Sequence, residues 1–179
     1  MTAHETNCCR HVFIGVGSNI EPERNIADAL GELGRVVTVT DTSTFYWTEP
    51  LKSRKQDNYL NGVWLVETAI PGRDLKFDVL RSIERKLHRE RTGDTWDSRT
   101  IDLDVVLYGD IVIREQDLTV PDPDIYDRPF LALPIAELAP ELIVPDSGKC
   151  IRDIAAVLDT TGLKPNHIFT ASLKRSIPS

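Results

Sequence analysis

An apolar run, His11-Val12-Phe13-Ile14-Gly15-Val16-Gly17, stops at Ser18-Asn19, which predicts a strand closing in a turn. From Glu21 to Gly34 the period lengthens, and Ile26, Ala29, Leu30 and Leu33 recur at helical spacing with Gly34 as C-cap. Val36–Trp47 is rich in β-branched residues and predicts extended chain leading to Thr48-Glu49-Pro50-Leu51, with a polar loop over 49–57. Tyr59–Thr68 is another strand that puts Tyr59 and Asn61 on one face. Pro71 to about Arg91 is the longest helix, with a stripe of Leu75, Val79, Ile83 and Leu87, Leu80 beside it, and Arg81, Arg85 and Arg89 on another face. Alternation returns in Arg99–Asp110: Ile101, Leu103 and Val105 point to the core, and Asp102 and Asp104 stand together on the opposite face.

The remaining pattern is shorter in range. Ile111–Ile113 reads as a return strand, and Leu118–Asp124 as a rigid segment punctuated by proline. Asp127 is placed to N-cap a helix through Leu131, Leu133, Ile135, Ala136 and Leu138, which Pro134 strains or interrupts. A short helix is expected around Ile151–Leu158. Residues 1–10 read as a disordered leader, 11–160 as the domain and 161–179 as a polar tail. Strands and helices mix without strict βαβ alternation, so the class is α+β, one sheet with helices packed mainly on one face.

Composition narrows the function. The chain has 179 residues, enough for one domain with a real core, and a net charge of −7 that argues against a general nucleic-acid binder. No apolar run approaches the ~20 residues of a membrane span, and the first eleven residues carry no secretory h-region. Cys8, Cys9 and Cys150 form neither a disulfide framework nor a zinc pattern, which points to a reducing cytoplasm. Residues 81–99 hold six Lys/Arg against four Asp/Glu, so an acidic protein carries a basic patch suited to a small polyanion.

Two carboxylates side by side repel, and a hard divalent cation relieves them; Mg²⁺ takes one or two carboxylates plus phosphate oxygens. Arg99, just before the strand, is placed to grip the same phosphates. A Tyr beside an Asn suits a planar heterocycle that stacks on one and is read by the other. No phosphate-binding loop of the Gly-x-x-x-x-Gly-Lys-[Ser/Thr] type is present, so side chains and metal must hold the phosphates. Alternatives on the same residues are a non-catalytic ligand-binding module and a metal-dependent nuclease or phosphohydrolase; the acidic charge disfavours the latter.

Gly17-Ser18-Asn19, Tyr59-Leu60-Asn61, Ile83-Glu84, Arg89-x-Arg91, Trp96, Arg99-Thr100-Ile101-Asp102-Leu103-Asp104, Val120-Pro121 and Arg128-Pro129-Phe130 occur in one order. Together, over roughly residues 11–158, they resemble the 6-hydroxymethyl-7,8-dihydropterin pyrophosphokinases of folate synthesis. The resemblance implies a ferredoxin-like fold and transfer of pyrophosphate from ATP to the pterin hydroxymethyl group, releasing AMP, with two Mg²⁺ ions. It implies Asp102 and Asp104 as metal ligands, and Thr48, Leu51, Tyr59, Asn61, Trp96 and Phe130 around the pterin. Arg81, Glu84, Arg89, Arg91, Trp96, Arg99, Val105, Thr119, Asp122 and Arg128 would surround ATP, with Arg89, Arg91 and Arg99 catalytic. ATP and the pterin are then the partners, with no nucleic acid or membrane, and the enzyme is expected as a cytoplasmic monomer. Three positions depart from the family pattern: His88 where Gly is usual, Arg81 where a neutral residue is usual, and Asp122 where a phosphate-contacting His is usual. We expect Arg81 and Asp122 to compensate by pairing.

Overall fold

Strand β1 (Arg10–Ser18) sends Val12, Ile14 and Val16 to one side of a sheet and Phe13, Gly15 and Gly17 to the other. The computed structural model describes residues 9–50, 57–89 and 98–178. After β1 come α1 (Pro22–Leu33), β2 (Thr38–Thr42), β3 (Tyr46–Thr48) and β4 (Tyr59–Thr68). A helical stretch of α2 (Gly72–Asp74), a π-helical segment (Leu75–Leu80) and α3 (Arg81–Lys86) leads to β5 (Asp102–Tyr108). The sheet is antiparallel with order β5-β1-β4-β3-β8, where β8 is Lys164–Pro165, and β2 pairs β4 beside β3. Each of the two helical connections returns the chain one strand away, which interleaves two βαβ units into a ferredoxin-like α+β fold.

Helices cover both faces, where the sequence pattern predicts mainly one. Ile26, Ala29, Leu30 and Leu33 of α1 pack with Leu75, Leu80 and Ile83 against Val12, Ile14 and Val16. On the other face, α4 (Pro129–Leu138) and α5 (Ile151–Ala156) bring Leu131, Ala132, Ile135, Ile151 and Ile154 against Phe13, Val63 and Leu107.

Several local expectations change for physical reasons. The Leu75–Val79–Ile83 stripe assumes an unbroken α-helix, but the π turn inserts a residue, so Leu75 and Leu80 are the fully buried pair and Val79 is only partly covered. Arg128, not Asp127, occupies the N-cap of α4; Pro129 starts the helix and Pro134 lies inside it. Gly34 does cap α1, in ordinary right-handed geometry. The return strand is β6 (Ile113–Arg114), which pairs β7 (Thr119–Val120) in a separate hairpin. Arg10, assigned to the leader, is already in β1; residues 1–8 lie outside the described residues. The polar tail contains β8 and α6 (His167–Ser176), whose Phe169 and Leu173 are buried. Phe169 meets Phe45 edge-on at 5.6 Å, and the Asn166 side chain caps the helix by accepting from Phe169 N–H.

Candidate active site

In β5 the expected alternation holds: Ile101, Leu103 and Val105 are buried in the core, and Asp102 and Asp104 are half-buried on the opposite face. Register with β1 sets Asp102 beside Gly17 and Asp104 beside Gly15. Ile14 then pairs Val105 while Phe13 pairs Leu107, so Val106 is an extra, bulged residue. The bulge adds Val106 to the wall carrying the two aspartates.

The two glycines make room. A Cβ on Gly17 would lie 2.6 Å from Asn61 Oδ1, and one on Gly15 would lie 2.9 Å from Val106 Cγ2. The Asn61 amide therefore packs against β1 at Gly17, and its Nδ2 donates to Thr48 Oγ1 at 2.7 Å. Tyr59 stands two residues away on the same face of β4. From the opposite side come Asp122 and Asp124 of a short 3₁₀ turn, then Arg128, Phe130 and Leu131 at the start of α4. The result is a cavity of about 290 Å³ with Tyr59, Phe130, Asn61 and Thr48 in its lining alongside Asp102, Asp104, Arg99 and Arg128.

A charge network sits behind the aspartates. Arg99 and Arg89 each reach Asp102, the latter at 2.5 Å, and Arg89 also pairs with the buried Glu84. Glu84 accepts the Leu103 N–H at 3.0 Å. Lys76 Nζ lies 3.1 Å from Asp104 Oδ1. Burial at the wall, then the Asp102 charge, pushes the Asp104 carboxyl up to about 6, with Lys76 opposing. Its side chain keeps 45% of its surface open, so cavity water screens part of that penalty. Burial also raises Asp122 above the usual carboxylate range, against a hydrogen bond from Asp124 N–H and the charge of Lys76.

Arg99 is aimed by the Gly-Ser-Asn turn. Asn19 Oδ1 accepts Arg99 N–H at 2.7 Å, Asn19 N–H donates to Arg99 C=O at 3.1 Å, and Ser18 Oγ donates to Thr100 C=O at 2.6 Å. Arg89 is aimed by a helix cap. His88 adopts φ 59°, its N–H donates to Arg85 C=O, and Arg89 N–H donates to Glu84 C=O. That is the left-handed closing turn normally taken by glycine, so His88 occupies a glycine conformation.

The structure thus brings Thr48, Tyr59, Asn61, Phe130, Arg99, Asp102, Asp104, Asp122 and Arg128 to one cavity, with Arg89 behind Asp102. Leu51, Arg91 and Trp96 lie outside the described residues. Four expected nucleotide residues are placed elsewhere. Glu84 is 1% exposed and anchors Arg89 and β5. Val105 points into the core because strand alternation turns it away from the aspartates. Thr119 is an exposed residue of β7 that does not line the cavity. Arg81 stacks over the Phe77 ring at 4.1 Å and is not paired with Asp122, whose nearby cation is Lys76. The sequence reading singles out Gly17-Ser18-Asn19 as a strand-ending turn and family motif without giving Ser18 or Asn19 a role, and it leaves Lys76 out; the lysine sits at an unremarkable helical position and gives no pattern signal.

Residues 13–140 match the 7,8-dihydro-6-hydroxymethylpterin-pyrophosphokinase family. The chain belongs to this family. It is 34% identical over 160 residues to a 2-amino-4-hydroxy-6-hydroxymethyldihydropteridine pyrophosphokinase of Synechocystis, covering 88% of this chain and 80% of that one. It is 36% identical over 139 residues to the Haemophilus influenzae protein of the same name, covering 75% and 85%. Among solved structures, a Plasmodium falciparum HPPK-DHPS triple mutant crystallised with pteroate superposes with a TM-score of 0.70 at 12% identity. That match covers 90% of this chain and shows the fold; this chain spans 47% of the solved one. The enzyme is a diphosphotransferase that moves pyrophosphate from ATP to hydroxymethyldihydropterin in folate biosynthesis. No helix among the described residues is long and apolar enough to cross a membrane.

Proposed function

We propose that both substrates meet in the single cavity between β1, β4, β5 and the start of α4. The observation that carries this is the joining of two unlike linings in one space: aromatic and amide groups from Tyr59, Phe130 and Asn61, and the Asp102–Asp104 wall with its arginines. Tyr59 and Phe130 sandwich the pterin, and Asn61 and Thr48, with Leu51 and Trp96, complete its pocket. Arg89, Arg91, Arg99 and Arg128 hold the phosphates. The Nε of Arg128 is buried without a hydrogen-bond acceptor, which leaves that guanidinium with binding capacity for an anion.

The residues fit Mg²⁺. Glu49, Asp102, Asp104, Asp122 and Asp124 line the cavity against two guanidinium groups, Arg99 and Arg128, so a bare polyphosphate meets net repulsion there. Among the described residues no cluster of three or more acidic, His or Cys side chains could hold a metal alone. Two carboxylates, with phosphate oxygens and water completing the shell, is the arrangement Mg²⁺ favours over all-protein cages. Asp102 and Asp104 would hold two such ions, which when bound neutralise the phosphate oxygens and favour charge build-up in transfer.

The chain's own groups then work by placement. The pterin hydroxymethyl oxygen bonds to the β-phosphorus as the bond from that phosphorus to the oxygen of AMP breaks, and the hydroxyl proton is lost to solvent. Arg89 and Arg99, paired with Asp102 in the free enzyme, turn to the phosphates when that carboxylate is taken up. Positioning and neutralisation supply the rate, and no dedicated strong base is assigned. We also place the enzyme in the cytoplasm, a reading supported by free thiols at Cys9 and Cys150, and expect it to act as a monomer. The test is paired substitution. Asp102→Ala and Asp104→Ala abolish turnover in a folded protein, while Tyr59→Ala and Phe130→Ala weaken pterin binding about tenfold through lost stacking and leave ATP binding nearly unchanged. Equal weakening of both substrates by the aromatic variants contradicts the assignment.

A further inference from the structure

The two metal-side aspartates are neutralised differently. Asp102 has two guanidinium partners, Arg89 and Arg99. Asp104 pairs with Lys76, which reaches it from the π-helical segment across 3.1 Å, and the charge of Arg99 also acts on it. The Lys76 side chain is 21% exposed, so its ammonium is held in the wall rather than waving in solvent. Asp122 faces the same cavity with no ion-pair partner among the described residues; its Oδ1 accepts Asp124 N–H at 2.9 Å, and Lys76 is the cation whose charge reaches it. One ammonium thus serves two carboxylates that face an incoming polyanion.

We propose that Lys76 is a positioning residue for the nucleotide: it neutralises Asp104 in the free enzyme and turns to the phosphate chain when a divalent cation takes that carboxylate, offsetting Asp122. The inference rests on reading the cavity as the nucleotide site. An ammonium and a divalent cation compete for the same oxygen, because each repels the other at contact distance. The lysine is suited to move, since its charge is a point on a flexible four-carbon stem, whereas Arg89 and Arg99 carry planar forks on backbone held by the helix cap and the Gly-Ser-Asn turn. The π turn bears directly on this, because the extra residue sets the direction in which Lys76 leaves the helix.

Opposite signs follow for two ligands. Without the Lys76 charge, Asp104 is a better ligand for a divalent cation alone. Without it, a metal-bound polyphosphate faces Asp122 uncompensated and binds less well. A lysine that only supports the fold moves both affinities in one direction or neither.

The test uses the full chain as wild type, Lys76→Met, Lys76→Gln, Lys76→Arg and Asp102→Asn. Binding of Mn²⁺ alone is measured by electron paramagnetic resonance. Binding of an ATP analogue with a methylene bridge between the α and β phosphorus atoms is measured by calorimetry in excess Mg²⁺. Lys76→Met and Lys76→Gln are expected to bind Mn²⁺ about threefold more tightly and the analogue about tenfold more weakly, with Lys76→Arg restoring analogue binding. Unchanged analogue binding in both neutral variants overturns the role of Lys76. So does equal weakening of both ligands without rescue by arginine. The Asp102→Asn variant separates this from the site itself: analogue binding lost there and intact in Lys76→Met removes Lys76 and leaves the cavity assignment standing.

Discussion

Glu84→Ala separates an anchor from a ligand. Glu84 is 1% exposed, pairs with Arg89 and accepts the Leu103 N–H at 3.0 Å, so its loss strands a cation and a strand donor at once. Removing one partner of a buried ion pair costs about 3–5 kcal/mol. Arg89 keeps Asp102 and a 12% exposed side chain, which sets the expectation at the low end, about 3 kcal/mol. For a domain of this size each kcal/mol lowers Tm by about 2–4 °C, so Glu84→Ala should melt about 6–12 °C below wild type. Glu84→Gln keeps an acceptor for Leu103 and drops only the charge, and should cost about 1–2 kcal/mol. Urea unfolding gives the stabilities, and calorimetry with the methylene-bridged ATP analogue gives binding. An alanine variant within 1 kcal/mol of wild type that nevertheless loses the nucleotide would refute the anchor and return Glu84 to the ATP shell.

Three further outcomes follow from the same geometry. His88→Gly relieves a left-handed residue worth about 1–2 kcal/mol against the extra chain entropy of glycine, so the variant should gain about 0.5–1 kcal/mol with unchanged kcat, and a loss of stability contradicts the cap. Gly17→Ala drives a Cβ into Asn61 Oδ1, a movable side-chain end, so stability should fall by less than about 1 kcal/mol while pterin binding weakens, and unaffected binding removes Asn61 from the pocket. With Asp104 pushed up from the usual 3.8 to about 6, the neutral form is favoured in the fold; Mn²⁺ affinity should fall about tenfold per unit below pH 6, and a flat profile from pH 5 to 7 contradicts it. By the same linkage, this carboxyl's contribution to stability is full below pH 3.8 and lost as the pH rises through about 6 in the metal-free protein, and Asp104→Asn abolishes that dependence.

Period and polarity make the sheet and the aspartate wall legible. Ile101, Leu103 and Val105 alternate with Asp102 and Asp104, and only a strand puts the acids on one side. The same rule excludes Val105 from the cavity, although family likeness had placed it near ATP. Glu84 illustrates a different gap: a motif position gives no depth, and a buried carboxylate that braces Arg89 has the same letter as one that touches substrate. Helix α6 stayed hidden because Phe169 and Leu173 are its only buried apolar side chains while Ile168 is exposed, too sparse a stripe to outweigh its polar neighbours. The π turn and the Lys76–Asp104 pair have no local signature, since both arise where the helical stretch meets β5.

The account turns on transfer of the β and γ phosphates as one unit in this cavity. The direct measurement is to mix the protein with Mg²⁺, 6-hydroxymethyl-7,8-dihydropterin and ATP labelled separately at the β and γ phosphorus, and to identify the products by phosphorus NMR and mass spectrometry. AMP in equal amount to a pterin diphosphate carrying both labels is the predicted result, absent from Asp102→Ala and Asp104→Ala. ADP with a singly phosphorylated pterin, or free pyrophosphate with unmodified pterin, contradicts it.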